Sequence, residues 1–327
     1  MKGIFLSDHP GEIFRVFPEE LRGRMASSLS LLSPEPLTGE QLLSSPLRRE
    51  VEVIFSTWGM PRLTAEQWGE MPALKAVFYA AGAVSAFARP LLERGIPLSS
   101  AWRANAIPVA EFALAQIILS LKHYFQDAEA FRSPRGFHQV TPGPGAYGET
   151  VGLLGDGAVA TCLEGLLYRT LFLQVRMVPT GQAQDRNSLL RLFQTSYVVS
   201  NHLPDLPELE HVLDEELFLS MRPGATFLNT GRGAQVDEAG LARALEKRPD
   251  LTALLDVTYP EPPREDSPLY RLPNVRLSSH LAGSLGQETR RLGECAFQEY
   301  QRFCQGLPLE HGVTLGEIAP FEGKTRS

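Results

Sequence analysis

Short apolar segments alternate with amphipathic segments along most of the chain. In the first third, apolar runs at 3–7, 53–57 and 75–81 are typical of buried strands. The stretches 64–71 and 88–95 have the mixed polar and apolar pattern of intervening helices. This alternation predicts a parallel sheet with helices on both faces, which is the α/β class of fold.

The alternation is interrupted once and then begins again. A longer helical pattern covers 109–131, with Pro108 at its entry, a position that proline favours. The segment 132–150 is rich in Pro, Gly and Ser and is typical of a connection. A last amphipathic helix is predicted at 285–306. Six further strands are predicted, about the number in a full dinucleotide-binding sheet: 150–155, 173–179, 196–201, 225–229, 251–257 and 274–279.

Composition and charge narrow the class of protein. The 327 residues suffice for about two domains, and 43% hydrophobic with 21% charged residues is an ordinary globular balance. The net charge of −7 gives no positive field for nucleic acid or anionic lipid. We find no apolar run near the roughly 20 residues that span a bilayer, and no signal-peptide core. We therefore expect neither nucleic acid nor membrane as a partner.

The cysteine count indicates a reducing compartment. An odd number of cysteines without metal-ligand spacing is typical of reduced thiols, so we expect a cytoplasmic protein without a metal site. The cysteines are Cys162, Cys295 and Cys304.

A glycine-rich loop lies directly after one predicted strand and before a helix. Gly155, Gly157 and Ala160 form the pattern G-x-G-x-x-A in the context that dinucleotide-binding sheets require. The first glycine permits a tight turn, the second lets a pyrophosphate approach the backbone, and the small third residue lets the helix pack closely. The motif predicts dinucleotide binding, and the plainer alternative is an ordinary strand-to-helix turn.

Several details of this region predict weaker and less selective cofactor binding. Asp156 brings a negative charge into the phosphate loop, where it repels phosphate unless its side chain faces away, and Ala158 offers no side-chain donor. The next strand ends in 178–180 without the acid that binds an adenosine ribose. Arg176 and Arg186 are candidate partners for a 2′-phosphate, so the choice between NAD and NADP stays open.

Three polar residues follow the ends of successive predicted strands: Arg232, Glu261 and His280. In an open parallel sheet, ligands bind beyond the carboxyl ends of the strands. A guanidinium can hold a carboxylate with two hydrogen bonds, and a histidine paired with a carboxylate can exchange a proton near neutral pH. Together they suit reduction of a 2-oxo acid beside a nicotinamide, although each alone is commonly an ordinary surface residue.

Over about residues 1–306 the sequence resembles the D-isomer-specific 2-hydroxyacid dehydrogenase family. The resemblance implies two Rossmann-like or flavodoxin-like doubly wound parallel-sheet domains with an active-site cleft between them. Residues 1–100 plus 285–327 would form the substrate-binding (catalytic) domain, and 101–284 the nucleotide-binding domain. The most specific motifs are VGLLGDGAVA, the segment from YVVSNHLPDL to GLARAL, the segment from LLDVTYPEPP to NVRLSSHLAG, and GIPLSSAWRANAIPVAEFALAQIIL.

The resemblance also implies an activity and the residues that carry it. The protein would be an oxidoreductase that transfers hydride between NAD or NADP and a D-2-hydroxy acid/2-oxo acid pair, acting as a homodimer. Arg232 would bind substrate, and Glu261 would orient the acid/base His280. The substrate-binding candidates besides Arg232 are Ala81, Gly82 and Trp102. The cofactor-binding candidates are Val109, Gly155, Gly157, Ala158, Val159, Thr180, His202, Leu203, Pro204, Thr230, Asp256, Ala282 and Gly283.

The chain departs from the family pattern near the expected substrate. Residues 83–85 replace the usual Val-Asp-Asn, and Trp102 stands where a small residue or proline is common. No phosphate-binding cluster is evident, so phosphoglycerate is not favoured, and the short sequence after the last helix predicts no appended regulatory domain. The altered cofactor loop leaves a second hypothesis, a low-turnover nucleotide-binding sensor or corepressor-like protein on the same fold.

Overall fold

The computed structural model describes residues 1–137, 139, 141–170 and 173–321. The chain divides into two compact units, Met1–Asn105 with Ser284–Ser327, and Ala106–Gly283. Each unit contains one sheet in which every strand pair is parallel. The predicted α/β fold class with two parallel-sheet domains is therefore confirmed.

The strands and helices alternate along the chain. The strands are β1 (Lys2–Leu6), β2 (Ser30–Leu31), β3 (Val53–Ser56), β4 (Ala76–Tyr79), β5 (Leu98–Ser100), β6 (Thr150–Leu154), β7 (Gln174–Val178), β8 (Val198–Asn201), β9 (Thr226–Asn229), β10 (Thr252–Leu255) and β11 (Val275–Leu277). The α-helices are α1 (Pro10–Val16), α2 (Glu19–Met25), α3 (Gly39–Ser44), α4 (Ala65–Gly69), α5 (Ala88–Glu93), α6 (Trp102–Leu121), α7 (Tyr124–Ala130), α8 (Ala158–Thr170), α9 (Arg186–Thr195), α10 (Glu215–Leu219), α11 (Glu238–Lys247), α12 (Thr289–Cys304) and α13 (Leu315–Ile318).

The sheet of the first unit has the strand order β2-β1-β3-β4-β5. Its central strands β3 and β4 are buried at every position, because helices cover both faces of a parallel sheet. One face packs on an aromatic cluster in which Phe55 contacts Phe78 and Tyr300. The sequence pattern predicted β1, β3 and β4 but not β2, which has two residues, or β5, which has three.

The sheet of the second unit has the strand order β11-β10-β9-β8-β6-β7. The six strands predicted from the sequence are all present, and their ends differ from the prediction by no more than two residues. The strands β8, β9 and β10 are buried at every position. Their carboxyl ends lie at one edge of the sheet, and that edge carries the residues described below.

The helix predicted at 109–131 is wrong in its bounds. The structure has α6 beginning at Trp102, with Pro108 inside the helix, and a separate α7 beginning at Tyr124. An internal proline removes one helical hydrogen bond without ending this helix. His123, with a left-handed φ of 57°, separates the two helices. The boundary between the two units also falls inside α6, after Asn105 instead of residue 100.

Helix α6 also corrects the expectation about membrane-spanning length. Among the described residues it is long and apolar enough to cross a bilayer by length and composition, with 20 residues and a mean hydropathy of 1.6. In the second unit its side chains Ala110, Ala113 and Ile117 pack with Val151 and Leu153 of β6. A core helix that packs inside a protein can have the same length and composition as a membrane-spanning helix.

Candidate active site

The loops that follow β9, β10 and β11 are neighbours at the carboxyl edge of the second sheet. Asn229 of β9 pairs with Leu255 of β10, which pairs in turn with Leu277 of β11. Beyond the strands, the N–H of Asp256 donates to the carbonyl of Asn229 at 3.0 Å. The three loops carry Arg232, Glu261 and His280, so the sheet order places these residues on adjacent loops.

Glu261 and His280 form a hydrogen-bonded pair. His280 Nδ1 lies 2.8 Å from Glu261 Oε1, and the two side chains are 52% and 41% exposed. His280 has a left-handed φ of 52°, a conformation that is uncommon for a residue with a side chain and is also adopted here by His123 and His211. The pair leaves Nε2 of the imidazole directed to a ligand or to solvent.

Asp256 holds the turn that carries His280. The carboxylate is 2% exposed and accepts hydrogen bonds from Ser278 Oγ at 2.6 Å and from the N–H groups of Leu281 and Ala282, both at 3.0 Å. The N–H of His280 donates to the backbone carbonyl of Asp256 at 3.0 Å. The sequence indicated Asp256 for the cofactor, and the structure shows it fixing the backbone on both sides of His280. Ser278 was missed by the sequence analysis.

Arg232 is an exposed residue on an otherwise buried turn after β9, and its Nη1 donates to the carbonyl of Gly231 at 2.8 Å. The turn packs directly on the loop after β10, because a Cβ on Gly233 would lie 2.0 Å from the carbonyl carbon of Thr258. Among the described residues, no hydrogen bond or ion pair joins the guanidinium to the histidine–glutamate pair. The loops therefore touch, while the guanidinium itself rests on its own turn.

A buried amide network positions the Arg232 turn. Asn201 at the end of β8 donates to Asn229 Oδ1 at 3.0 Å and to Gln235 Oε1 at 2.6 Å. Gln235 also accepts the N–H of Arg232 at 3.2 Å. Its Nε2 donates to the backbone carbonyls of Leu203 and Pro204 at 2.8 and 2.7 Å. The sequence analysis missed this network, although an asparagine ends each of two predicted strands, at Asn201 and Asn229.

His202 is a buried neutral histidine at the end of β8. Its Nε2 lies 2.8 Å from Ser200 Oγ and its Nδ1 lies 3.0 Å from Thr230 Oγ1. Burial lowers the pKa of His202 to about 3. The cofactor candidates His202 and Thr230 are thus in contact with each other, and the N–H of the buried Leu203 donates to Asn201 Oδ1 at 3.2 Å.

The glycine loop has the geometry that a pyrophosphate requires. Gly155 has a φ of 94°, and a Cβ there would lie 2.8 Å from the carbonyl oxygen of His202. A Cβ on Gly157 would meet nothing within 4 Å, so a ligand can approach the backbone at that point. Helix α8 begins at Ala158, and its first amides have no intrahelical partner. Val159 follows in the same first turn. These residues fit a dinucleotide phosphate.

Five further candidates take no part in the contacts described above: Ala81, Gly82, Trp102, Val109 and Gly283. In the first unit, Ala81 and Gly82 follow β4, and Ser100 Oγ donates to their carbonyls at 2.9 and 2.7 Å. Within the part of the chain that the structure describes, no hydrogen bond from the N–H of Gly82 is found. Trp102 is 37% exposed, with the guanidinium of Arg103 5.0 Å above its ring. In the second unit, Val109 lies on α6, half-buried, and Gly283 follows Ala282 at the end of the unit.

Comparison with known proteins identifies the family. Residues 114–282, more than half of the 327-residue chain, match the model described as D-isomer specific 2-hydroxyacid dehydrogenase, NAD binding domain. The chain belongs to the D-isomer-specific 2-hydroxyacid dehydrogenase family. The resemblance stated from the sequence is therefore confirmed.

This family member matches only part of the length of its curated relatives. It is 28% identical over 240 residues to D-3-phosphoglycerate dehydrogenase of Archaeoglobus fulgidus, covering 70% of this chain and 45% of that protein. It is 31% identical over 272 residues to the Haemophilus influenzae protein of the same name, covering 78% and 64% respectively. The chain thus spans about half to two thirds of the length of these relatives.

Solved structures of the family share the fold. D-mandelate dehydrogenase of Rhodotorula graminis superimposes with a TM-score of 0.76 at 21% identity, covering 95% of this chain and 97% of that chain. A D-isomer specific 2-hydroxyacid dehydrogenase of Lactobacillus delbrueckii ssp. bulgaricus, in its NAD-complexed form, gives 0.76 at 15% identity, covering 96% and 100%. At these identities the likeness is one of fold.

Proposed function

We propose that the protein is an oxidoreductase that interconverts a D-2-hydroxy acid and its 2-oxo acid with NAD or NADP. The observation that carries the proposal is the 2.8 Å contact between His280 Nδ1 and Glu261 Oε1 at the carboxyl edge of the nucleotide-binding sheet. The family membership and the open glycine loop support the same activity.

His280 serves as the acid and base of the reaction. Because Glu261 occupies Nδ1, the proton that His280 exchanges with the substrate oxygen is carried on Nε2. The carboxylate fixes the tautomer and stabilises the imidazolium. Asp256 holds the backbone around His280 through Ser278, Leu281 and Ala282, so the imidazole keeps one position during proton transfer.

Arg232 binds the substrate carboxylate. Its guanidinium is exposed, and only Nη1 is engaged by the carbonyl of Gly231, so other N–H donors remain for a ligand. A planar guanidinium binds a carboxylate through two parallel hydrogen bonds, which orients the adjacent carbonyl group. The buried amides of Asn201 and Gln235 keep the turn in place.

The amides at the start of α8 and the loop of 155–157 would hold the cofactor phosphates. A bound nicotinamide supplies the hydride acceptor or donor for the reaction. His202, Thr230 and Asp256 lie at the same sheet edge, where this chain's residues shape the space for the nicotinamide half.

The test is a panel of 2-oxo acids assayed with NADH and with NADPH, using the wild-type chain and His280→Asn. We expect the variant to lose roughly 100- to 10,000-fold in kcat, because proton transfer contributes about that much. Asparagine tolerates the left-handed backbone that His280 adopts. His211→Asn is the matched control, since His211 lies in the same unit with a φ of 54°. We expect His211→Asn to keep the wild-type rate.

Two outcomes decide between the activity and its alternative. Equal rates for His280→Asn and the wild-type protein would contradict the proposed acid–base role. Nucleotide binding without turnover of any 2-oxo acid would favour the low-turnover sensor. The structure argues against that alternative, because the Glu261–His280 pair is intact.

We also propose a homodimer in the cytoplasm, with neither nucleic acid nor membrane as a partner. Large apolar side chains are exposed in the segment after α6, and the rings of Phe131 and Phe137 lie 5.2 Å apart: Tyr124 (51%), Phe131 (52%), Phe137 (57%) and Tyr147 (87%). Clustered exposed aromatic residues favour a protein interface. The reduced cysteines Cys162, Cys295 and Cys304 suit a reducing compartment. The net charge of −7 disfavours binding to nucleic acid.

A further inference from the structure

The end of strand β7 carries no acidic side chain. The strand ends at Val178 and continues into Pro179 and Thr180. Sheets that bind NAD commonly place a carboxylate about 20 residues after the glycine loop, where it hydrogen-bonds the adenosine ribose. The next acid, Asp185, caps helix α9 and accepts the N–H of Asn187 at 3.2 Å. The chain from Val178 to Asp185 therefore does not supply the usual ribose-binding acid at the strand end.

Asp156 of the glycine loop brings a carboxylate to this strand end from the other side. Its Oδ1 accepts the N–H of Thr180 at 3.1 Å and the Thr180 hydroxyl at 2.7 Å. These two hydrogen bonds lower the pKa of Asp156 from its ordinary value, so the side chain is ionised at neutral pH. Asp156 is exposed, and both bonds end on Oδ1, which leaves Oδ2 available to a ligand hydroxyl.

Backbone contacts fix the loop against the strand. The N–H of Gly155 donates to the carbonyl of Val178 at 2.9 Å, and Leu154 pairs with Val178 in the sheet. A dinucleotide whose pyrophosphate lies on the first amides of α8 has its adenosine ribose beside the end of the second strand. The carboxylate of Asp156 therefore lies where that ribose would bind.

The two arginines considered for a 2′-phosphate do not serve this position. Arg186 is paired with Asp214 at 2.9 Å and with Glu216. Arg176 is four residues before Thr180 on an extended strand, which is about 13 Å along the chain. Of these charged groups, it is Asp156 that contacts Thr180 directly after β7.

We propose that Asp156 is a specificity-determining residue that selects NAD over NADP. Its Oδ2 accepts the hydrogen bond of the ribose 2′-hydroxyl, and its negative charge disfavours a 2′-phosphate. The glycine loop in this way replaces the acid that β7 lacks. The inference rests on the dinucleotide binding proposed above.

The experiment measures dissociation constants for the full chain. NADH and NADPH are titrated by their fluorescence, and ADP-ribose with 2′-phospho-ADP-ribose by calorimetry, which isolates the adenosine half of the ligand. We expect the wild-type protein to bind NADH and ADP-ribose roughly tenfold or more tightly than their 2′-phosphorylated forms. Asp156→Asn keeps an acceptor for Thr180 but removes the charge. It should lower this preference by roughly tenfold.

The control variant is Glu164→Gln, which removes a carboxylate from helix α8 about 10 Å beyond the start of the helix. It should leave the preference within about twofold of the wild-type value. Asp156→Ser also lacks the charge and should give the same shift as Asp156→Asn. If the asparagine variant folds poorly, the preference for NADH over NADPH is measured with the serine variant instead.

The outcomes separate this inference from the function on which it rests. A parallel change of both dissociation constants in Asp156→Asn, with an unchanged ratio, would show only a structural role for the contact with Thr180 and would overturn the proposal. A wild-type preference for NADPH would overturn it as well. Failure of both dinucleotides and both ADP-ribose probes to bind would instead overturn the dinucleotide-binding function, and the inference with it.

Discussion

At the scale of single residues, His202 makes the stability of the protein depend on pH. Its folded-state pKa of about 3 lies below the ordinary value of 6.5. Between pH 6.5 and 3, His202 therefore binds a proton in the unfolded chain but not in the folded chain. As the pH is lowered from 6.5 to 3, we expect the free energy of unfolding to fall by up to about 1.4 kcal/mol per pH unit. Above pH 6.5 His202 is neutral in both states, so it causes no loss of stability there. Urea unfolding at a series of pH values measures it.

The comparison for this prediction is His202→Gln, which cannot titrate in this range. Its acid dependence should be shallower than that of the wild-type protein by the same slope. Identical slopes for the two proteins would show that other groups cause the acid destabilisation and that His202 is protonated in the folded state.

The residues that the sequence could locate are those that follow a strand in the chain. Glu261 and His280 come after predicted strands, so parallel pairing was enough to place them on adjacent loops. The contact of Asp156 with Thr180 depends on a rotamer and a turn, which no pattern of polar and apolar positions records. For that reason the sequence predicted less selective cofactor binding, whereas our proposal of a preference for NAD rests on that contact.

At the scale of elements, the close contact between two loops depends on Gly233. A Cβ at this position would lie 2.0 Å from the backbone carbon of Thr258, so Gly233→Ala must push the Arg232 turn away from the loop that leads to Glu261. We expect a loss of about 1–3 kcal/mol in stability, as for overpacking elsewhere. The rate of 2-oxo acid reduction should fall as well. Thermal unfolding and steady-state kinetics measure the two effects.

Gly165→Ala is the control for this prediction, because the added methyl group meets nothing within 4 Å on helix α8. Alanine is the better helix former, so this variant should gain about 0.4–1 kcal/mol and keep the wild-type rate. A Gly233→Ala protein as stable and as active as Gly165→Ala would disprove the tight packing of the two loops.

The sequence pattern located the strands more accurately than the helices. Apolar runs located the strands of the second sheet, of which β6, β8, β9 and β10 are buried at every position, but the sequence pattern misplaced α6 and α7. A proline inside α6 was interpreted as its first residue, because the sequence does not reveal which helices tolerate the loss of one hydrogen bond. Of the short helices in the first unit, α4 and α5 were predicted, whereas α1 to α3, which are of similar length, were not.

At the scale of the whole molecule, the exposed aromatic residues after α6 predict a homodimer. Phe131 and Phe137 lie with ring centroids 5.2 Å apart and are 52% and 57% exposed, so together they form an apolar patch on the second unit. A charge within a buried interface is costly, so Phe131→Asp should shift the protein to monomers. Light scattering after size exclusion should give about 36.1 kDa for the variant and twice that mass for the wild-type protein.

Tyr168→Asp is the matched variant for this test, because Tyr168 is also an aromatic residue of the second unit and is 60% exposed, on helix α8. It lies outside the segment after α6 in which we propose the contact, so its protein should stay dimeric. If both variants remain dimers, the interface lies elsewhere. If the wild-type chain itself has the mass of one copy, the patch of Phe131 and Phe137 needs another explanation and the dimer is refuted.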